Sequence, residues 1–362
     1  MSFPNLGPKC VLIMAGGTGG HIFPALAAAR VLAARDWKVV WMGNPNSMED
    51  RLVPQHGFSI EHIRFTALRG KGLLRKLKLP LALLQGCSQA GRILSRLQPD
   101  VVLGMGGYIS FPGGVMAWLK GIPLVVHEQN SIPGLANRAL AKLAKRVLSG
   151  FPKGLETALW VGNPVRREIA QLPAPELRMA GREGPLNLLV VGGSLGAQVL
   201  NEVIPKGLAR MEAATRPNVV HQAGEKHLAA LTQNYAQAGV QANCVAFIED
   251  MAGAYAWADL VICRAGALTI AELAAAGVAS ILVPFPFAVD DHQTGNARFL
   301  TQAGGAFLLP QAELTPESVA LIGNYSRSQL LEMAKKARAL ARPEAAEAVA
   351  DMLAQVCKEK LS

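Results

Sequence analysis

The chain has 362 residues, of which 51% are hydrophobic and 17% charged, the balance of a well-buried globular protein of two domains and not of a disordered chain. No stretch approaches the roughly 18 consecutive apolar residues of a spanning helix, the opening MSFPNLGPKC lacks the form of a secretion leader, and five scattered cysteines indicate reduced thiols in the cytosol. The net charge of +10 is uneven: residues 1–166 carry 20 basic and 7 acidic side chains, residues 167–362 carry 16 and 19.

In chain order, the pattern predicts strands over 10–15, 38–43, 58–64, 100–104, 122–127 and 146–149, with helices over 21–35, 82–97, 111–120 and 133–144. The second half repeats the plan, with strands near 187–192, 218–222, 244–248, 259–263, 279–283 and 305–308. Strand–helix alternation of this kind implies parallel sheets with helices on both faces. Between the halves, Val161–Arg166 and a stretch with Pro173, Pro175, Gly181, Gly184 and Pro185 break regular structure and suit a hinge. Residues 344–360 read as an alanine-rich helix ending in Lys358 and Lys360, as the helix dipole prefers. The expected fold class is α/β, two similar domains facing a cleft.

Three of the apolar runs lead straight into glycines: Gly16-Gly-Thr-Gly-Gly20 before His21, Gly104-Met-Gly-Gly107, and Gly192-Gly-Ser-Leu-Gly196. A strand, a glycine turn and a helix start gather unpaired N–H groups and the positive end of a helix dipole around one point, which is a phosphate cradle. Three cradles in one chain imply more than one phosphorylated ligand.

The common alternatives fail on detail. G-x-G-x-x-G is broken by Ile22, Ile109 and Leu195, and the strand ending Trp41-Met-Gly-Asn44 has no acid for a ribose. No Gly-Lys-Ser/Thr closes a turn, so no Walker loop is present. His127-Glu128 is followed by Ser131 where a metallopeptidase has histidine, there is no D-x-D pair, and Asp290-Asp291-His292 reads as a helix start. No metal and no cofactor are implied.

Between Glu61 and Asp100 lie eight basic residues and no acidic one: Arg64, Arg69, Lys71, Arg75, Lys76, Lys78, Arg92 and Arg96. They interleave with Leu73, Leu74, Leu77, Leu79, Leu81, Leu83 and Leu84. Lys71 to Leu79 therefore read as a segment that leans on an anionic membrane surface. An ordinary amphipathic helix with a solvated basic face is the alternative. Without interleaved aromatics or a known module, nucleic acid is not an expected partner.

GGTGGH at 16–21 with Phe23-Pro24, GMGGY at 104–108, HEQN at 127–130, GNPVR at 162–166, GGSLGA at 192–197, RAGALTIAE at 264–272 and DDHQTGNA at 290–297 occur in this order. Together they closely resemble the cytosolic-face N-acetylglucosaminyltransferases of peptidoglycan synthesis, over nearly the whole chain. The resemblance implies a GT-B fold: two Rossmann-like domains, 1–164 with about 344–362 and 165–343, the last helix returning to the first domain. It implies inverting transfer from UDP-N-acetylglucosamine to the C4 hydroxyl of lipid I, at the cytoplasmic face of the inner membrane. In the donor site Ser194 would touch the diphosphate, Ile248 the uracil, and Ala267, Leu268, Thr269, Ile270, Ala271 and Glu272 would wrap the nucleotide, with Glu272 on the ribose. Gln293, Arg166 and Asn130 would reach the donor, and Thr18, Gly19 and Gly20 would complete the cleft. Gly104, Gly106, Gly107 and Tyr108 would cradle the acceptor diphosphate, and His21 is the best-placed base.

Each residue also has a plainer reading. Thr269-x-x-Glu272 fits a capping box, Ser194 and Thr18 suit N-caps, Arg166 suits a hinge ion pair, His21 a ligand hydrogen bond, and Trp118 the core or a membrane rim. Asn130 is followed by Ser131 where many of the family have glycine, and His292 precedes Gln293 in a loop of variable composition. A UDP-sugar 2-epimerase on the same scaffold and a non-enzymatic nucleotide-sugar sensor are the rival functions.

Overall fold

A computed structural model describes residues 8–65, 73–193 and 196–359, the side chains of 73–79 and of Val289 excepted. The chain forms two compact units, Met1–Val165 with Glu344–Ser362, and Arg166–Pro343.

In the first unit the strands are β1 (Cys10–Met14), β2 (Lys38–Gly43), β3 (Ser59–His62), β4 (Val101–Gly104), β5 (Leu124–Glu128), β6 (Arg146–Ser149) and β7 (Leu159–Trp160). They pair in parallel in the order β3-β2-β1-β4-β5-β6-β7. Helices α1 (Gly19–Ala33), α2 (Met48–Gln55), α3 (Leu73–Leu97), α4 (Ser110–Leu119) and α5 (Leu135–Ala141) connect them. β1 is apolar throughout because both faces are covered: Val11 and Ile13 enter one core, Leu12 and Met14 the other. The terminal helix Ala345–Glu359 packs on α1, with Val349, Leu353 and Val356 in the core beside Val11 and Leu32. Its far end is tied by Arg146–Glu359 at 2.7 Å.

The second unit repeats the winding with β8 (Asn187–Val191), β9 (Asn218–Gln222), β10 (Asn243–Val245), β11 (Leu260–Cys263), β12 (Ala279–Leu282) and β13 (Ala306–Leu308). The order is β10-β9-β8-β11-β12-β13, again all parallel. In both sheets the strand order reverses beside the first strand, between β1 and β4 and between β8 and β11. A crevice opens at the carboxyl ends of strands at such a reversal, and ligands bind there. The glycine runs after β1, β4 and β8 all sit at these two reversals.

Several element boundaries differ from expectation. α3 starts at Leu73 and not at 82, because the helix runs on through Pro80 and forgoes only the bond that its missing N–H would make to Lys76. α2 is only eight residues long and half polar, and β7 is two residues long, so neither stands out in the sequence. Trp118 is half exposed at the end of α4, which removes it from the core.

Candidate functional site

The two glycine turns of the first unit fold against each other. Gly107 has φ +83° and presses on Gly16 so closely that a Cβ there would overlap the Gly16 carbonyl oxygen. Gly106, at φ +96°, lies under the His21 ring: a Cβ would come 2.9 Å from Cδ2 and 3.0 Å from Nε2. Both positions require glycine for conformation and for space. Ser110 ties this turn to the end of β1, its one hydroxyl hydrogen shared between the Gly106 carbonyl at 2.8 Å and the Met14 carbonyl at 3.0 Å.

His21 stands in the first turn of α1, whose N-cap is Thr18 in extended conformation without a side-chain cap bond. Its Nδ1 lies 3.2 Å from the Gly16 carbonyl and 3.3 Å from Thr18 Oγ1. A carbonyl only accepts, so Nδ1 carries the hydrogen and the neutral ring's basic lone pair is on Nε2. Gly19 and Gly20 open α1, where N–H groups have no carbonyl within the helix to bond. Tyr108 closes the rim, its hydroxyl accepting from Asn44 Nδ2 at 3.1 Å and its ring 3.7 Å from a Cβ placed on Gly17.

Beneath lies a buried polar network. Glu128 accepts the Asn130 backbone N–H at 2.9 Å, the Gly134 N–H at 3.1 Å and Asn137 Nδ2 at 2.9 Å. His127 Nε2 donates to the Gly162 carbonyl at 2.9 Å while Nδ1 accepts from Gln129 at 3.0 Å. Burial drives the His127 pKa down to about 4. HEQN is thus the frame that carries Asn130, and His127 is a neutral structural group.

In the second unit the helix Ala267–Ala276 begins right after β11, with Gly266 as N-cap. The capping-box reading of Thr269 and Glu272 is overturned, since the helix starts two residues before Thr269. Glu272 instead points inward, buried, where Arg166 donates to Oε1 from Nε at 3.2 Å and Nη2 at 2.9 Å. The Tyr255 hydroxyl donates to Oε2 at 3.2 Å. Burial raises the Glu272 carboxyl, and the Arg166 charge only partly offsets this. At these distances Arg166 and Glu272 form an ion pair, which is the plainer reading of Arg166.

Gln293 lies in the first turn of the helix His292–Thr301, its Oε1 accepting the Phe285 N–H at 2.9 Å so that its amide donors face away from that bond. Asp291 is the N-cap of this helix, which makes Asp290-Asp291-His292 a helix start. Asn296 on the same helix donates to the Ala265 carbonyl at 3.2 Å, joining it to the start of Ala267–Ala276. Ile248 lies in the loop after β10, half-buried. In the third glycine turn Gly193 and Gly196 have φ +86° and +74°, the Gly196 N–H returns to the Gly193 carbonyl at 2.9 Å, and Gln222 donates to that carbonyl at 3.3 Å.

Ser194 and Lys71 lie outside the described residues. Of Leu73, Leu74, Arg75, Lys76, Leu77, Lys78 and Leu79 only the backbone is described, as the opening of α3. Among the described residues no group of His, Cys, Asp and Glu is arranged to hold a metal, and no helix is long and apolar enough to cross a membrane. No local sequence pattern marks Tyr255, Asn137 or Gln222. Each is a polar side chain buried by tertiary packing, which local pattern does not reveal.

The glycosyltransferase family 28 N-terminal domain matches residues 11–149, and the C-terminal domain of the same family matches 187–356. A UDP-N-acetylglucosamine–N-acetylmuramyl-(pentapeptide) pyrophosphoryl-undecaprenol N-acetylglucosamine transferase of Dechloromonas aromatica is 67% identical, covering 97% of this chain and 99% of its own. That of Aromatoleum aromaticum is 64% identical, covering 97% and 98%. The crystal structure of MurG from Acinetobacter baumannii superposes with a TM-score of 0.83 at 42% identity, over 96% of this chain and 100% of that one.

Proposed function

The chain belongs to glycosyltransferase family 28, among its peptidoglycan N-acetylglucosaminyltransferases, and we propose how its own residues carry out the transfer. It moves N-acetylglucosamine from UDP-N-acetylglucosamine to lipid I, forming lipid II. The nucleophile is the muramyl C4 hydroxyl, whose oxygen bonds the anomeric carbon as the bond to UDP breaks, with inversion of configuration at that carbon.

His21 is the base. The observation that carries this is the imidazole lying over Gly106, so that Nε2 stands beside the turn that would cradle the acceptor diphosphate. Nδ1 carries the hydrogen toward the Gly16 carbonyl, and in that tautomer Nε2 is the basic nitrogen that takes the hydroxyl proton. Gly104, Gly106, Gly107 and Tyr108 hold the acceptor diphosphate. In the second unit, the N–H groups at the start of Ala267–Ala276 and the third glycine turn, with Ser194, receive the donor diphosphate. As UDP departs, charge builds on its β-phosphate, and each donor aimed at that charge can be worth about 2.7–4 kcal/mol. Glu272 binds the ribose, Gln293 the sugar, and Ile248 the uracil through its backbone.

The enzyme docks as a peripheral protein on the anionic cytoplasmic face of the membrane. Leu81 and Leu84 of α3 and Trp118 and Leu119 of α4 are all more than half exposed, and Arg92, Arg96 and Lys120 line a groove along the same two helices.

Purified protein given both substrates should release UDP and form the disaccharide lipid. His21→Ala should depress kcat far more than donor affinity, whereas a loss confined to apparent donor affinity would reassign His21 to binding. Interconversion of UDP-N-acetylglucosamine without acceptor would instead support the epimerase reading.

A further inference from the structure

We infer that Glu49 is a positioning residue that acts on His21 through one peptide group, forming a carboxylate–peptide–imidazole relay. The inference rests on the reading of His21 as the base. Glu49 is fully buried, at 0% exposure, on the first turn of α2. Its Oε2 accepts the Gly17 N–H at 3.2 Å and its Oε1 the Asn44 N–H at 3.3 Å. The side chain fits because residues 16 and 43 are glycines: a Cβ on Gly16 would stand 2.7 Å from Oε1, and one on Gly43 would stand 2.7 Å from Cγ.

The peptide between Gly16 and Gly17 is trans, so its N–H and C=O point to opposite sides. Glu49 holds the N–H side, and the C=O side receives His21 Nδ1 at 3.2 Å. Negative charge behind the N–H polarises the peptide and makes its carbonyl oxygen a stronger acceptor, since bonds in a chain reinforce one another. A stronger acceptor at Nδ1 fixes the hydrogen there, keeps the lone pair on Nε2, and stabilises the imidazolium that forms when Nε2 takes a proton. A carboxylate hydrogen-bonded directly to the imidazole performs this service in hydrolase triads; here one peptide stands between. The dipole of α2 and the two N–H donors offset the burial of the charge.

Glu49→Gln retains shape and an acceptor oxygen for Gly17 while removing the charge. Long-range ¹⁵N–¹H correlation at about pH 8, where imidazole is neutral, reads the tautomer of His21, identified by the signal lost in His21→Asn. The wild type should show hydrogen on Nδ1, and Glu49→Gln a shift toward hydrogen on Nε2. Turnover of Glu49→Gln should fall by about tenfold or more, the size of loss seen for outer hydrogen-bond partners of metal-bound imidazoles, with donor KM within about twofold. In a His21→Ala background Glu49→Gln should cost nothing further. Hydrogen on Nε2 in the wild type overturns the relay without any variant. So does an unchanged tautomer in Glu49→Gln, or an equal loss of turnover in both backgrounds. If His21→Ala retains full kcat while the tautomer still responds to Glu49, the relay stands and the base assignment fails.

Discussion

Arg166 places two donors on one oxygen of Glu272, at 3.2 and 2.9 Å, while the Tyr255 hydroxyl takes the other oxygen at 3.2 Å. A carboxylate has about four lone-pair sites, so one remains, and the proposed ribose contact would use it. Burial raises the Glu272 carboxyl above its usual 4.5. A raised folded value means that the native chain binds the proton more tightly than the unfolded one. Glu272 therefore favours the fold below 4.5 and loses that contribution as pH climbs through its folded value.

At neutral pH the buried carboxylate opposes folding. Glu272→Gln should then unfold thermally no earlier than the wild type, because Arg166 is partly exposed and can turn to water. Its affinity for UDP should drop by roughly 10–100-fold, the loss of a hydrogen bond to a charged group. Titration calorimetry with UDP and a melting curve check the two halves separately. A variant that melts early and binds UDP normally would leave the pair a purely structural one.

His127 has the opposite sign. Its ring is buried and neutral, and its folded pKa of about 4 lies below the ordinary 6.5. Stability is complete above 6.5 and is lost as pH falls toward 4, by at most about 3 kcal/mol. His221, pushed down to about 3 by burial, acts in the same direction. Urea midpoints should fall steeply on acidification through this range. In His127→Gln, where the amide can still donate to Gly162 and accept from Gln129, the fall should be shallower.

Much of this site is legible in the sequence because backbone chemistry builds it. Gly106, Gly107, Gly193 and Gly196 all adopt positive φ, a demand that declares itself as glycine in the sequence. The apolar runs before them are strands covered on both faces, which is why β1, β4 and β8 stood out. Glu49 and Tyr255 were not legible, since nothing local distinguishes a buried Glu on a short helix from a solvated one. Nor did Thr269 and Glu272 reveal that their helix begins at Ala267, because Gly266 caps it without any side chain.

The membrane surface can be tested on the described part of α3 and α4. Each basic residue near an anionic surface contributes about 1 kcal/mol. Arg92→Gln with Lys120→Gln should weaken binding to phosphatidylglycerol vesicles by roughly 30-fold at low salt, with little change on neutral vesicles. Leu84→Ser with Trp118→Ser should weaken binding to anionic vesicles at every salt concentration, because the lost contribution is apolar. Vesicle sedimentation across a salt series separates the two. Binding that ignores both pairs would exclude this face.

Gly104 closes β4 and Gly107 lies in the turn that follows, and the two make different demands. At Gly104 a Cβ would meet its nearest atoms, Met14 Cε and Val126 Cγ2, at 3.7 Å, an ordinary contact, and φ is not positive. Gly104→Ala should fold with nearly unchanged stability, so any rise in the acceptor KM would report on the ligand's approach to that backbone. Gly107→Ala meets a left-handed φ, which alone costs roughly 1–2 kcal/mol, and its methyl would drive into the Gly16 carbonyl. That carbonyl is also the acceptor for His21. Gly107→Ala should therefore lower kcat together with stability, while Gly104→Ala should change KM alone. Melting curves beside steady-state kinetics on the two variants decide the matter. Equal melting and equal kinetics for both would mean that the two turns are not locked together as the Gly16–Gly107 contact requires.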